Sequence, residues 1–345
     1  MQASGDKLKV YKSNRVEALL DPLAKSLVRP LANPFAKEQI VVHSAGMERW
    51  LTLELAQRMQ IAANLEFPYP GRVVQHAFET VLKLEKEQLK AWDTKSLLWA
   101  VFAGLDELIH TPEFKALQGY VTQDPKGLKR YQLAVRITRV FDRYGTYRAE
   151  QCLSWIRGGG EAGDWQPVLY RWLRKHIGQP SVAELMQRFE DRLVHPKAQL
   201  TGLPERITVF GVTTLPPLFV RIFALLSRHI HVQLYLLNPS DSWWADIRNK
   251  RQIQRGLFDS PQVAQDALAM EEGHPLLASL GKLGRDFQQV LEEAVYEEPM
   301  PELFQDPGQQ SLLHAVQSDV LHLRRRGAEH PHHVLRDDDQ SIQVH

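Results

Sequence analysis

Between residue 70 and about residue 200 the sequence offers no convincing β-strand, and this gap is what most constrains the fold. On either side of it lie short apolar runs rich in β-branched residues: LKVYKS (8–13) and QIVVHS (39–44) before, ITVFGV (207–212) and VQLYLL (232–237) after. Ile40, Val41, Val42, Ile207, Val209 and Phe210 are apolar without alternation, the pattern of central strands buried on both faces of a parallel sheet. Helical patterns at 14–28, 46–58 and 216–228 alternate with these runs and give a βαβ order. The gap itself reads as helix after helix: 72–86, 93–108, 129–146, 148–157, 165–177 and 181–194. An α/β fold is expected, its parallel sheet formed by residues 1–70 and 200–345, with 71–199 as a large all-helical insertion. A last run, SIQVH (341–345), begins like a strand with no turn signal after it, so the chain reads as truncated there.

Length supports two cores, since 345 residues exceed what one usually organises. The net charge of +1 advertises no polyanion, so any electrostatic partner must be met by a local patch. The one cysteine, Cys152, excludes a disulfide framework and fits a reducing compartment. MQASGDKLKV lacks the apolar core of a signal peptide, and no run reaches the length of a membrane span. A cytoplasmic protein without membrane contact is expected.

A strand–turn–helix at the start of an α/β chain is where a phosphate-binding loop belongs. Such a loop needs glycine amides around the phosphates, a lysine reaching them and, after another strand, an acid for Mg²⁺. At the end of this first strand stand Ser13, Asn14 and Arg15, with no glycine and no Lys-Ser/Thr at the loop; Lys25 comes too late, inside the helix. After ITVFGV stand Thr213, Thr214, Leu215, Pro216 and Pro217, and no acid. GKLGRDF (281–287) imitates a Gly-rich motif but has Leu283 after the lysine and lies in a helical pattern; its small residues suit close helix packing, with Arg285 and Asp286 paired or capping. GGGEAG (158–163) follows a helix and reads as a loop. The scaffold is that of a nucleotide hydrolase without its chemistry, so no catalytic residue and no bound cofactor are expected.

Other chemistry is equally absent. Cys152 lies on an apolar helix face and reads as packing. His330, His332 and His333 flank Pro331 in a polar connector, and Asp337, Asp338 and Asp339 read as a solvated charge run.

Polymer-binding candidates do emerge. Around the 129–146 helix, Leu133, Ile137, Val140 and Tyr144 form an apolar stripe. Lys126, Lys129, Arg130, Arg136, Arg139, Arg143 and Arg148 face only Asp124 and Asp142 between 124 and 148. Such a row either neutralises backbone phosphates or is a solvated helix face. In HSAGMERWL (43–51), polar residues leave the C-terminal end of a strand, where open sheets bind ligands. Trp50 there either stacks a base or packs into the core. Tyr69, in EFPYPGR (66–72), is a ring held between two prolines.

VYKSNRVEALL, IVVHSAGMERWLTLELAQRMQIAANLEFPYP, FDRYGTYR, FGVTTLPP, NPSDSWWADI, HPLLASLGKLGRDF and LLHAVQSDVLHL, in that order, resemble the N-terminal region of the RecC family, the gamma subunits of exodeoxyribonuclease V. The resemblance implies a P-loop NTPase-like, superfamily 1 helicase-like domain inactivated at its ATP site, with a 1A-like sheet and a 1B-like insertion. It also implies a DNA-guiding subunit of a RecBCD-type helicase–nuclease in double-strand break repair and recombination. RecB-like and RecD-like partners would use the ATP and Mg²⁺, and this chain would thread the 3′ single strand of forked DNA and scan it for a Chi-like sequence. Carried onto this sequence, the DNA-contacting positions are His43, Ser44, Arg49, Tyr69, Arg139, Asp142, Arg143 and Arg148; Trp50 and Arg136 join them from the residue patterns above. His43 and Arg49 stand where the best-known family sequence has glutamines, Ala45 where it has a threonine and Arg139 where it has an acid. Added arginines favour phosphate contact over base readout. The competing readings are an autonomous nucleotide-dependent enzyme and a partner-binding scaffold without DNA affinity.

Overall fold

A computed structural model of the chain describes residues 8–121, 124, 126–194, 200–248, 271–272, 274–294, 303–327, 330–334 and 338–342. The chain forms two compact units, one of Met1–Pro70, Pro204–Leu215 and Leu226–His345, the other of Gly71–Leu203 and Pro216–Leu225.

The first unit is built on a five-stranded sheet of β1 (Leu8–Ser13), β2 (Glu38–Val41), β3 (Leu65–Glu66), β4 (Arg206–Val212) and β5 (His231–Leu237). All pairings are parallel and the order is β1-β5-β4-β2-β3. The strand over 39–44 is shorter than its apolar run because Ser44 caps the next helix, α2 (Ala45–Met59), accepting the Met47 amide at 3.2 Å. Residues 14–28 split into a 3-10 turn (Val16–Leu19) and α1 (Leu20–Leu27). Leu19, Leu20, Leu23 and Leu27, spaced at helical intervals, pack with Leu51 and Leu55 of α2 on Ile40, Val42, Phe210 and Tyr235 of the sheet. Full burial of each such side chain contributes about 1.5–3 kcal/mol. β4 is buried along its length except at Gly211. There the register shifts, and a φ of +67° makes glycine the residue that fits the bulge. At the opposite end, buried Arg206 donates to Glu38 and to the carbonyls of Ser26 (2.8 Å) and Arg29 (3.0 Å), tying the end of α1 to β2 and β4.

The second unit contains, among the described residues, no strand. Its helices are α3 (Pro70–Leu82), α4 (Lys86–Lys90), α5 (Thr94–Leu108), α6 (Lys115–Val121), α7 (Leu128–Tyr147), α8 (Ala149–Ile156), α9 (Trp165–Ile177) and α10 (Val182–Val194). Most of α11 (Pro217–Leu226), which connects β4 to β5, groups with this unit. Leu97, Val101, Leu105, Phe141, Cys152, Trp155, Leu169 and Tyr170 share its core. Phe141, Trp155 and Tyr170 form an aromatic cluster with centroids 5.5–6.2 Å apart. Burial pushes the Cys152 thiol up to about 11, so it packs as an apolar group. The buried face of α7 is Ala134, Ile137, Thr138, Phe141 and Gly145. Val140, expected in that stripe, is 40% exposed, because Phe141 rather than Val140 enters the aromatic cluster.

The rest of the first unit adds a two-stranded pair, β6 (Ile247–Arg248) and β7 (Glu271–Glu272), then α12 (Pro275–Leu280), α13 (Lys282–Ala294) and α14 (Leu312–Leu321). The Gly-rich decoy is a packing device. A Cβ on Gly281 or Gly284 would lie 2.8 or 2.6 Å from the Trp244 ring, Arg285 donates to the Leu277 carbonyl, and Lys282 pairs with Asp286 at 2.8 Å. Of the polar connector and charge run, Asp337 lies outside the described residues and Asp338 is exposed, but two members are engaged. His333 lies 3.3 Å from buried Asp319, and the Asp339 carboxylate accepts the Leu312 amide at the start of α14. Ser341 and Ile342 form a bend, and the remainder of the SIQVH run lies outside the described residues.

Candidate nucleic-acid interface

The crevice of an open parallel sheet opens where neighbouring strands send their connections opposite ways. Here β2 leads to β3 on one side, while adjacent β4 leads to β5 on the other, so the switch point lies between the C-terminal ends of β2 and β4. Its rim carries His43 and Ser44 from β2 and Thr213 and Thr214 from β4, all exposed. Partial desolvation lowers the His43 pKa below its ordinary 6.5, which keeps the ring neutral at neutral pH. Ser44 has its hydroxyl engaged as a helix cap. The Val42 amide donates to the Pro68 carbonyl at 3.2 Å, extending the parallel pairing. Tyr69, 54% exposed, therefore stands beside the turn that follows β2. Arg49, exposed, lines a shallow depression of ≈ 580 Å³ with Ala45, Gly46, Glu48, Thr52 and Leu53. Trp50 is partly buried and packs against Phe210, with ring centroids 6.3 Å apart, at the edge of the sheet core.

The turn after β1, where a phosphate loop would stand, is filled by the chain's own residues 303–305. Ser13 Oγ donates to the Leu303 carbonyl at 2.6 Å and accepts the Arg15 amide at 3.0 Å. Asn14 and Gln305 exchange two further bonds, at 2.8 and 3.0 Å, and Leu303 packs against the core beneath.

In the second unit, α7 sorts its cations. Arg130 pairs with Asp106 and lies over the Phe102 ring at 4.4 Å; Lys129 sits over Tyr120 at 5.9 Å and Arg148 over Tyr144 at 5.4 Å. Arg136, Arg139 and Arg143 remain exposed on one face, at the i, i+3, i+7 spacing that aligns them along the helix. Arg136 and Arg139 have no hydrogen-bond or ion-pair partner among the described residues, and Arg143 has the field of neighbouring Asp142. Partial desolvation raises the Asp142 pKa above its ordinary value, against the pull of Arg143, and Asp142 is the one acid in the α7 sequence. Tyr147, 57% exposed, continues the row. No group of residues suited to a metal ion occurs among the described residues, and none of the described helices is long and apolar enough to cross a membrane.

Exposed Trp99 on α5, 62% accessible, lies 6.1 Å from Tyr131 of α7; its sequence signal is a Trp on the solvent side of an amphipathic helix.

The protein is thus an α/β protein with an open, all-parallel five-stranded sheet whose first turn is bonded to its own residues 303–305, together with an all-helical unit. Residues 8–323 match the family described as RecC, N-terminal domain. Similar relatives are RecBCD enzyme subunit RecC of Escherichia coli, 33% identical over 92% of this chain and 31% of the relative, that of Haemophilus influenzae, 29% identical over 92% and 33%, and that of Mycolicibacterium smegmatis, 28% identical over 98% and 30%. The chain belongs to the RecC family, and spans about a third of the length of the curated relatives it matches.

Proposed function

We propose that this chain is the N-terminal part of a DNA-guiding subunit of a RecBCD-type helicase–nuclease, acting in double-strand break repair and recombination without catalysis of its own. Membership of the RecC family supports the assembly with RecB-like and RecD-like subunits. The observation that carries DNA contact is the row of Arg136, Arg139 and Arg143, exposed on a helix whose one acid is Asp142. Guanidinium groups in such a row neutralise successive backbone phosphates. His43, Ser44, Arg49 and Tyr69, at the end of β2, form a second set of contacts, and Arg148 and Asp142 extend the row.

The sheet is read as a P-loop NTPase-like, superfamily 1 helicase-like domain, 1A-like, with the helical unit as its 1B-like insertion. Its ATP site is inactive on this reading: residues 303–305 stand in the phosphate-loop position, and no acid follows β4. ATP and Mg²⁺ are used by the partner subunits. Scanning for a Chi-like sequence is proposed on the resemblance to the family alone; His43 and Arg49, with one neutral ring and one cation, would read a different pattern from glutamines.

The test is fluorescence anisotropy of a labelled single-stranded oligonucleotide against the purified chain, over a salt series, with and without ATP. Binding that weakens steeply with salt and ignores ATP supports the proposal. ATP-dependent binding would identify an active nucleotide site, and absence of binding at low salt would make the chain a scaffold for its partners.

A further inference from the structure

The helical unit exposes a second feature beside its arginines. Trp99, at 62% accessibility, and Tyr131, at 39%, lie 6.1 Å apart, and Leu128, one turn before Tyr131 on α7, is 60% exposed. Trp99 is held from beneath by Phe102, edge to face at 6.2 Å, and Phe102 in turn carries the Arg130 guanidinium at 4.4 Å. The Trp99 ring therefore touches two neighbouring rings yet stays open to solvent, an arrangement that folding does not reward, because a tryptophan gains most when its large apolar surface is covered.

Two occupants suit an exposed aromatic pair: an apolar protein surface or unpaired bases. Charge decides between them. Tyr131 lies on the same helix as Arg136, Arg139 and Arg143, and eight residues from Tyr131 to Arg139 cover about 12 Å of α7, within reach of a few nucleotides. An apolar partner would have to leave these guanidinium groups unpaired at its rim, whereas a single strand offers rings for the aromatic pair and phosphates for the arginines.

We propose that Trp99 and Tyr131 form a base-stacking platform for single-stranded nucleic acid, reached from the Arg136, Arg139 and Arg143 row by a strand that passes about a quarter to a third of the way around α7. This rests on the nucleic-acid reading of the row and adds residues that α7's charges alone do not identify.

The test compares W99A, W99F and Y131A with the R136A/R139A pair in the full chain, using a fluorescein-labelled oligothymidylate across a salt series. Stacking is electrically neutral, so W99A is expected to weaken binding about 10-fold, within the range for losing one stacked base, with the salt slope unchanged. W99F keeps a π-face and should recover most of that loss, which a merely structural role for Trp99 would not produce once circular dichroism confirms folding. R136A/R139A should instead flatten the slope. Salt-sensitive binding that W99A leaves untouched overturns the platform but keeps the row. No binding by the parent chain overturns both. Loss of association with a RecB-like subunit in W99A, with oligonucleotide affinity intact, makes the patch a protein-docking surface and also overturns the proposal.

Discussion

Asn14 and Gln305 hold each other reciprocally: the Asn14 carboxamide donates to the Gln305 carbonyl at 2.8 Å and accepts its amide at 3.0 Å. A strand–turn–helix without glycine thus binds a peptide where comparable turns in other α/β proteins bind a phosphate. With Ser13 gripping the Leu303 carbonyl, the turn after β1 is a clamp that joins the first strand to a segment 290 residues later.

N14A should lower unfolding free energy by about 1 kcal/mol, the net worth of partly exposed hydrogen bonds. S13A should cost about 1–3 kcal/mol, since it leaves groups at a fully buried position unmet. Urea melts measure both. Neither variant should gain ATP affinity by calorimetry, because loosening the clamp supplies no lysine and no glycine. ATP binding by N14A would instead mean that the segment at 303–305 masks a competent site.

Acid should find Asp319. It is 2% exposed, and burial works against its charge, but the two bonds from Arg326, both 2.7 Å, and nearby His333 outweigh burial and hold its pKa below the ordinary 3.8. A depressed carboxylate contributes stability that is complete above its unfolded pKa and is lost as pH falls through the lower folded value. Stability should therefore decline below about pH 4. D319N should flatten that decline in pH-dependent melts while lowering stability at neutral pH, since it leaves Arg326 without its charge partner. An identical acid limb in D319N would assign the decline to other carboxylates.

The Gly-rich helix offers a test of packing against nucleotide chemistry. G284A would place a Cβ 2.6 Å from Trp244 and should cost about 1–3 kcal/mol by overpacking the small cluster of Trp244, Ile247, Leu277 and Ala278. K282A removes an exposed i,i+4 pair and should change stability by less than about 0.5 kcal/mol. Thermal melts of the two variants separate the readings. A phosphate loop would respond the other way, tolerating the glycine change in stability and losing nucleotide affinity with the lysine.

Much of this architecture is written in period and composition. β4 and β5 are legible because both faces are apolar, and the helices of the insertion because their apolar residues recur at three and four. β3 is not legible: two residues carry no periodicity, and it pairs because Asn64 and Pro68 carbonyls accept the Glu38 and Val42 amides. The clamp at 303–305 is hidden for a different reason, as pairings of such sequence separation leave no local pattern. On α7 the abundance of cations is visible, but which cations are free depends on tertiary partners. Asp106, Tyr120 and Tyr144 engage Arg130, Lys129 and Arg148, and only folding reveals that, within α7 itself, Arg136, Arg139 and Arg143 are left. Trp50 shows a related point: an aromatic at a strand end invites a binding role, and only folding reveals that its ring also packs on Phe210.

The arginine row makes the sharpest demand. If Arg139 and Arg143 each neutralise one phosphate, each releases counterions, and the double alanine variant should lower the slope of log affinity against log salt by about 0.7 for every phosphate it leaves unneutralised. Affinity should fall most at low salt and converge with the parent at high salt, where screening has already removed the electrostatic part. Both side chains are exposed on a face opposite Phe141 and Ile137, so the fold should be unaffected and melting temperature unchanged. Replacing both with lysine should restore the slope but not all of the affinity, because an ammonium neutralises a phosphate without the two-pronged grip of a guanidinium. Anisotropy titrations of the parent and the two double variants across a salt series decide the matter. A slope shared by parent and alanine variant would remove α7 from the DNA path, and leave the turn after β2, with Arg49 and Tyr69, as the place to look for it.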